Sequence, residues 1–215
     1  AWREMAKQVA HEIKNPLTPM RLSIQTFERG FRKGEDFSKK RIREFSESLI
    51  QQIDTMSSIA TAFSDFAEMP EPKKEELNVV DVVELAIDIF NRDHINFKYS
   101  SKKILANFDR TQLIRVITNL LKNAFQAIPE KRDPKIEVNI SEKDNNVQIS
   151  ISDNGYGISK TDMKKIFEPS FTTKSSGMGL GLSMIKSIVT AYNGQITFKS
   201  KSNVGTTFNI TFPKK

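Results

Sequence analysis

The apolar residues in the first third of this chain recur at a spacing that admits one kind of structure. Between Met5 and Phe31 they fall at Met5, Val9, Ile13, Leu17, Met20, Ile24, Phe27 and Phe31, in steps of 4, 4, 4, 3, 4, 3 and 4. A repeat near 3.5 residues draws one apolar stripe along a helix of coiled-coil type. Ile42, Phe45, Leu49, Ile53, Met56, Ile59, Phe63 and Phe66 draw a second stripe. Between them, Gly30 to Phe37 holds two glycines and a run of charges, which reads as a turn. The pattern predicts two long helices in a hairpin. A lone hairpin covers only one side of each helix, whereas two hairpins side by side complete a four-helix bundle. Residues 1–69 are therefore predicted to form a homodimer. Pro16 and Pro19 cut across the first stripe, and an interior proline costs a helix about 3 kcal/mol. Because the stripe continues in register through both, the expectation is a kinked helix. The Pro16 ring would crowd the carbonyl of Glu12, beside His11.

Residues 70–76, with two prolines and alternating charge, read as a linker. From Leu77 to the end at residue 215 the pattern alternates between helix and strand. Val79–Asn91 reads as a helix, Ile95–Tyr99 and Ile104–Phe108 as strands, and Asp109 as the cap of a helix reaching about Ile128. Lys135–Ser141 and Val147–Asp153 alternate as strands. Ser159-Lys-Thr-Asp162 resembles a capping box for a short helix. Leu180–Tyr192 is predicted helical, and Gly194–Ser200 with Thr206–Phe212 a closing hairpin. The fold expected for residues 77–215 is an α/β sandwich with a largely antiparallel sheet.

Composition removes several functions. Cysteine is absent and there are two histidines, which excludes thiolate zinc sites and disulfides and disfavours a histidine-rich metal site. No apolar run approaches the roughly 20 residues of a membrane span. With no secretory signal pattern either, the expectation is a cytoplasmic segment. The chain opens in the middle of a helical pattern, which predicts an excised part of a longer protein, with membrane attachment only through an upstream region. The net charge is +7; residues 1–70 carry 11 basic and 10 acidic side chains, and residues 71–215 carry 22 and 16. The lysines are scattered and no basic helix-turn-helix pattern appears, so direct nucleic-acid binding is not expected. A polyanionic ligand such as ATP, or an acidic protein partner, fits the excess as well, and the bland reading is solubility.

Five short segments carry chemistry, most with a bland reading beside them. His11-Glu-Ile-Lys-Asn-Pro16 sets an imidazole, a carboxylate and an amide along a helix; alone, it reads as a surface histidine beside a salt-bridging glutamate. In Asn119-Leu-Leu-Lys-Asn123 two amides four residues apart share a helix face. Amide oxygens suit Mg²⁺, which borrows further oxygens from phosphates. Lys122 adds a cation, and the bland alternative is a polar solvent face. Asp153-Asn-Gly155-Tyr-Gly157 ends an alternating strand, and its carboxylate can accept from an amine such as adenine N6. The same residues form a common turn. Gly177-Met-Gly179-Leu180-Gly181-Leu182 runs into a helix, where exposed amides hold phosphate. It is neither a Rossmann fingerprint nor a Walker A loop. The preceding Phe167–Lys174 segment reads as a lid over the phosphates or as a surface loop.

Taken in order, these segments resemble the motifs of bacterial sensor histidine kinases across essentially the whole chain. His11–Pro16 resembles the phospho-acceptor box. Asn119–Asn123, Asp153–Gly157, Phe167–Phe171 and Gly177–Gly181 resemble the N, G1, F and G2 boxes. Trp2-Arg-Glu-Met-Ala with Asn15-Pro-Leu-Thr-Pro19 looks most like the nitrogen-regulation, NtrY-like branch. The resemblance implies a dimerisation and histidine phosphotransfer hairpin, then a Bergerat-type ATP-binding domain shared with gyrase, Hsp90 and MutL. It implies that Asn123 is the principal Mg²⁺ ligand, supported by Asn119. Asp153 would bind the adenine amine, with Gly155 and Gly157 shaping the base pocket and Thr207 assisting Asp153. Lys122, Lys174 and the amides of Gly177, Gly179, Leu180, Gly181 and Leu182 would hold phosphates. His94 has no partner motif and reads as structural.

The mechanism expected is attack of neutral His11 on the γ-phosphorus of ATP, since a histidine has a reference pKa of about 6.5. Glu12 would take the proton from the other ring nitrogen. Asn15 would orient water for dephosphorylation of a partner, and the phosphoryl group would pass to an aspartate of a response-regulator receiver domain. Two other classes stay open on the residues alone: a conformational ATPase, and a non-catalytic scaffold or dedicated phosphatase.

Overall fold

The computed structural model describes residues 2–34, 37–67, 72–90, 92–168 and 181–215, which group into two compact units. The first is a helical hairpin of α1 (Trp2–Arg32) and α2 (Lys39–Ala67). Helix α1 runs unbroken through Pro16 and Pro19, and Pro16 is buried. Packing of the stripe thus prevails over the local turn propensity of Asn-Pro-Leu-Thr-Pro. The turn begins later than the glycines predicted: Gly30 is a buried helical residue, and the chain leaves the helix at Gly34, where φ is +71°. That left-handed conformation is the usual glycine device for ending a helix. Arg29 and Arg32 sit in the last turn, where cations complement the helix dipole. Beyond the turn, Phe27 stacks on Phe37 and Phe45 at centroid distances of 4.3 and 4.4 Å, and the Arg41 guanidinium covers Phe37 at 4.8 Å. This aromatic cluster closes the hairpin.

The second unit is a two-layer α/β sandwich. Its elements are β1 (Glu75–Asn78), α3 (Val79–Ile87), β2 (Ile95–Tyr99), β3 (Leu105–Phe108), α4 (Arg110–Ala127), β4 (Ile136–Lys143), β5 (Asn146–Asp153), α5 (Gly181–Ala191), β6 (Gln195–Lys201) and β7 (Gly205–Pro213). A five-stranded sheet has the order β2-β4-β5-β7-β6, antiparallel except for the β2–β4 pair, while β1 and β3 form a separate antiparallel pair. Valines and isoleucines of β4 and β5 alternate inward, as do Phe208, Ile210 and Phe212 of β7. They meet buried faces of α4 and α5, such as Leu113, Ile117, Leu120, Ile185 and Val189.

Three segments differ from the sequence expectation. Strand β1 takes in Glu75 and Glu76, which the sequence places in the linker; their backbone pairs with β3 while only Leu77 is buried. Just upstream, the Lys73 N–H donates to Asp109 Oδ2 at 2.8 Å. Helix α3 stops at Ile87, short of the expected end: Phe90 turns back to stack on Phe125 at 5.5 Å, and Arg92 pairs with Glu84 and Asp88. Residues 160–167 form consecutive turns instead of a short helix. Ser159 Oγ does accept from the Asp162 N–H at 3.2 Å, as a cap should. The Asp162 carboxylate, however, takes the Ser159 hydroxyl at 2.6 Å and does not reach back to the backbone.

Candidate functional site

Helix α4 is set by its N-cap: Asp109 Oδ1 accepts the Gln112 N–H at 2.9 Å. Ten and fourteen residues on, Asn119 and Asn123 are both half-buried on one face. Asn119 Nδ2 donates to the Arg115 carbonyl at 2.8 Å, which fixes the amide and turns Oδ1 outward. That oxygen lies 3.6 Å from where a β-carbon would stand on Gly181 in α5. The structure therefore brings the amide oxygen of one sequence segment to the last glycine of another. A hard oxygen of this kind is a suitable donor for Mg²⁺. Lys122 is exposed, and Gly181 and Leu182 are half-buried. Lys174, Gly177, Gly179 and Leu180, together with the segment from Pro169 to Phe171, lie outside the described residues. Phe167 is held edge-on to Phe198 at 5.9 Å, with the Lys186 ammonium 5.7 Å from its ring centre.

The turn after β5 is bonded through nearly every polar group. Asp153 Oδ1 accepts from the Gly155 N–H at 2.8 Å and the Thr206 N–H at 3.2 Å. Among the described residues its Oδ2 has no partner, which leaves one carboxylate oxygen for a ligand. Burial pushes the carboxyl above the ordinary carboxylate range, and the two N–H bonds pull against that shift. Tyr156 N–H donates to the Ala127 carbonyl at 2.8 Å, Asn203 N–H to the Tyr156 carbonyl at 2.6 Å, and Ile158 N–H to Ser200 Oγ at 2.8 Å. Gly157 has φ +68°, and a β-carbon there would collide with the Lys201 carbonyl. A β-carbon on Gly155 would likewise collide with the Ala127 carbonyl, so both glycines are required by contact with neighbouring backbone.

Thr207, the expected assistant of Asp153, bonds Ser152 through its side chain. It stands opposite Ser152 in the β5–β7 register, and the two hydroxyls pair at 2.7 Å. Side chains alternate along a strand, so Ser152 and Thr207 share the outer face while Asp153 belongs to the inner one. The β7 residue that bonds the Asp153 carboxylate is Thr206, which is buried, donates its N–H, and pairs its hydroxyl with Ser200 at 2.9 Å. The sequence held a signal for this: Phe208, Ile210 and Phe212 mark the even positions of β7 as inward.

On the hairpin, His11 and Asn15 are exposed and Glu12 is half-buried. They share one unbroken stretch of α1, with His11 and Asn15 a single turn apart. Among the described residues no helix is long and apolar enough to cross a membrane, and no cluster of acidic, histidine or cysteine side chains forms a metal cage.

Comparison with known proteins matches residues 108–215 to the family of histidine kinase-, DNA gyrase B- and HSP90-like ATPases. Residues 1–72 match the His Kinase A (phospho-acceptor) domain. A putative NtrY-like sensor histidine kinase of Rickettsia conorii is 35% identical over 100% of this chain and 36% of its own length. The nitrogen regulation protein NtrY of Azorhizobium caulinodans is 30% identical over 91% of this chain and 26% of its own length. The chain thus spans about a third of the curated relatives it matches. Among solved structures, the catalytic domain of the histidine kinase ThkA superposes with a TM-score of 0.59 at 29% identity, over 66% of this chain and 96% of that one. ThkA in complex with the response regulator TrrA gives 0.71 at 22% identity, over 99% and 61%, a likeness of fold.

Proposed function

The chain belongs to the histidine kinases, with a phospho-acceptor segment followed by an ATPase of the gyrase and HSP90 type, and from this premise we propose that it phosphorylates His11 with ATP and passes the phosphoryl group to an aspartate of a response-regulator receiver domain. The observation that carries the nucleotide half of this reading is Asp153. Its Oδ1 is fixed by two backbone N–H groups, its Oδ2 is left over, and its turn is too tight for any side chain at Gly155 or Gly157. Such an acceptor fits the 6-amine of adenine. Thr206 also supports it, through its backbone N–H.

The neutral imidazole of His11 attacks the γ-phosphorus, the N–P bond forms, the bond to the β–γ bridging oxygen breaks, and ADP leaves. Glu12 takes the proton from the other ring nitrogen. Phosphoryl transfer has a loose transition state, so positioning and charge compensation do most of the catalysis. Asn123 and Asn119 would hold Mg²⁺, which neutralises phosphate charge when bound. Lys122, Lys174 and the amides of residues 177–182 hold the phosphates. Asn15 orients water for dephosphorylation of the regulator. Residues 1–69 form the dimerising phosphotransfer domain and 77–215 the catalytic domain, joined through residues 70–76, of which Glu75 and Glu76 are taken into β1. The partners are a second copy and a receiver domain, with no direct nucleic-acid contact, and this part of the protein works in the cytoplasm.

The test is incubation with γ-labelled ATP and Mg²⁺ beside His11→Gln. Label that acid removes, alkali spares and the variant lacks supports the reading. ATP binding without label overturns it in favour of a conformational ATPase or a phosphatase.

A further inference from the structure

Arg132 lies in the loop between α4 and β4 and belongs to none of the sequence segments described above. Pro129 and Pro134 stiffen this loop, and the Arg132 N–H closes a turn onto the Pro129 carbonyl at 2.8 Å. The side chain reaches the turn after β5. Its Nη1 donates to the carbonyl of Asn154 and, at 3.1 Å, to that of Gly155. The Asn154 side chain binds the same loop in return, accepting from the Lys135 N–H at 3.1 Å and donating to the Asp133 carbonyl at 2.9 Å.

The Asn154 carbonyl and the Gly155 N–H are two ends of one peptide group. At one end is the Arg132 cation; at the other, 2.8 Å from the N–H, is Asp153 Oδ1. The next peptide is pinned likewise, its carbonyl by Arg132 and its N–H by Ala127, the last residue of α4. A peptide next to glycine rotates easily. If the 154–155 peptide turned over, Asp153 would lose its nearest donor and the fixed position of its carboxylate. A cation on the carbonyl oxygen opposes that rotation and polarises the N–H toward the carboxylate, since hydrogen bonds in series strengthen one another.

We infer that Arg132 is a positioning residue for adenine recognition, acting on Asp153 through the 154–155 peptide. This rests on the proposed role of Asp153 as acceptor of the adenine amine. It predicts an effect on base selectivity, which a general loosening of the fold would not produce.

The experiment compares ADP with IDP, which carries an oxo group in place of the 6-amine. Each displaces a fluorescent ADP analogue from the 215-residue protein, with melting temperature measured alongside. The wild type is expected to prefer ADP by roughly tenfold or more, the scale of a lost hydrogen bond to a charged group. In Arg132→Ala the preference should narrow to about threefold or less. Arg132→Lys keeps the charge but not the planar Nη1 that reaches both carbonyls, and should fall between; it also serves if the alanine variant does not fold. A wild type that discriminates, with variants that discriminate equally well, overturns the role of Arg132 alone. A wild type that binds ADP and IDP alike overturns the adenine reading of Asp153 and this inference with it.

Discussion

A β-carbon on Gly155 would stand 2.5 Å from the carbonyl oxygen of Ala127, a distance no side chain can occupy. The last turn of α4 and the turn after β5 are therefore in backbone contact, and the Tyr156 N–H uses the same carbonyl. Gly155→Ala must push the turn off the helix. Overpacking of this kind costs about 1–3 kcal/mol. We expect a lower melting temperature and a loss of ADP affinity of tenfold or more. Gly34→Ala is the control: φ is +71° but the space around it is open. It should cost about 1 kcal/mol of strain and leave ADP affinity unchanged.

Asp153 should make nucleotide affinity depend on pH. Its carboxyl is raised by burial, so the folded protein holds that proton more tightly than the unfolded chain does. Affinity for ADP should begin to fall at a pH above the ordinary carboxylate range as the acceptor is protonated. The sign for stability is opposite: Asp153 costs stability as pH rises through the window between its ordinary and its raised pKa. Asp153→Asn should therefore melt no lower than wild type at pH 7 while losing roughly tenfold or more in affinity. Calorimetric titration against pH and thermal melts check both.

The two threonines of β7 should separate. Thr207→Val breaks a pair with Ser152 on the outer face and should cost about 1 kcal/mol with affinity unchanged. Thr206→Val keeps the N–H on Asp153 but removes the hydroxyl that fixes it to Ser200, and should weaken ADP binding severalfold. Equal effects on affinity would contradict the assignment of faces.

Asn15 lies one turn from His11 and is exposed. Asn15→Ala should spare autophosphorylation, followed as acid-labile label, and slow dephosphorylation of a phosphorylated receiver domain. Equal loss of both would remove its separate role.

The hairpin should dimerise through its remaining apolar surface. Leu17, Ile24 and Phe31 recur every seven residues on α1 and are 44, 48 and 72% exposed, while Ile53 on α2 is 52% exposed. One hairpin leaves this row uncovered, and a second copy would bury it. Sedimentation of the double variant Ile24→Glu, Ile53→Glu should show monomers where wild type shows dimers.

Much of this was legible in the sequence because periodicity is a local property. The stripes from Met5 to Phe31 and Ile42 to Phe66 called for two helices, the alternation of β4, β5 and β7 called for a sheet, and Asp109 called for a cap. The ordered segments around His11, Asn119, Asp153 and Gly177 named the family. What periodicity cannot carry is the partner of each residue. Gly30 joined the helix because it is buried there, and α3 ended early because Phe90 found Phe125.

Only the tertiary structure decided which residues converge. It set Asn119 against Gly181, put the Thr206 N–H on Asp153, and brought Arg132 to a turn more than twenty residues away. Sequence by itself determined which elements form and which chemistry the chain carries, since both follow from residue type and local spacing. The register of β5 against β7 and the closeness of Ala127 to Gly155 follow from packing between elements distant in the chain, and packing is settled only when the whole domain closes.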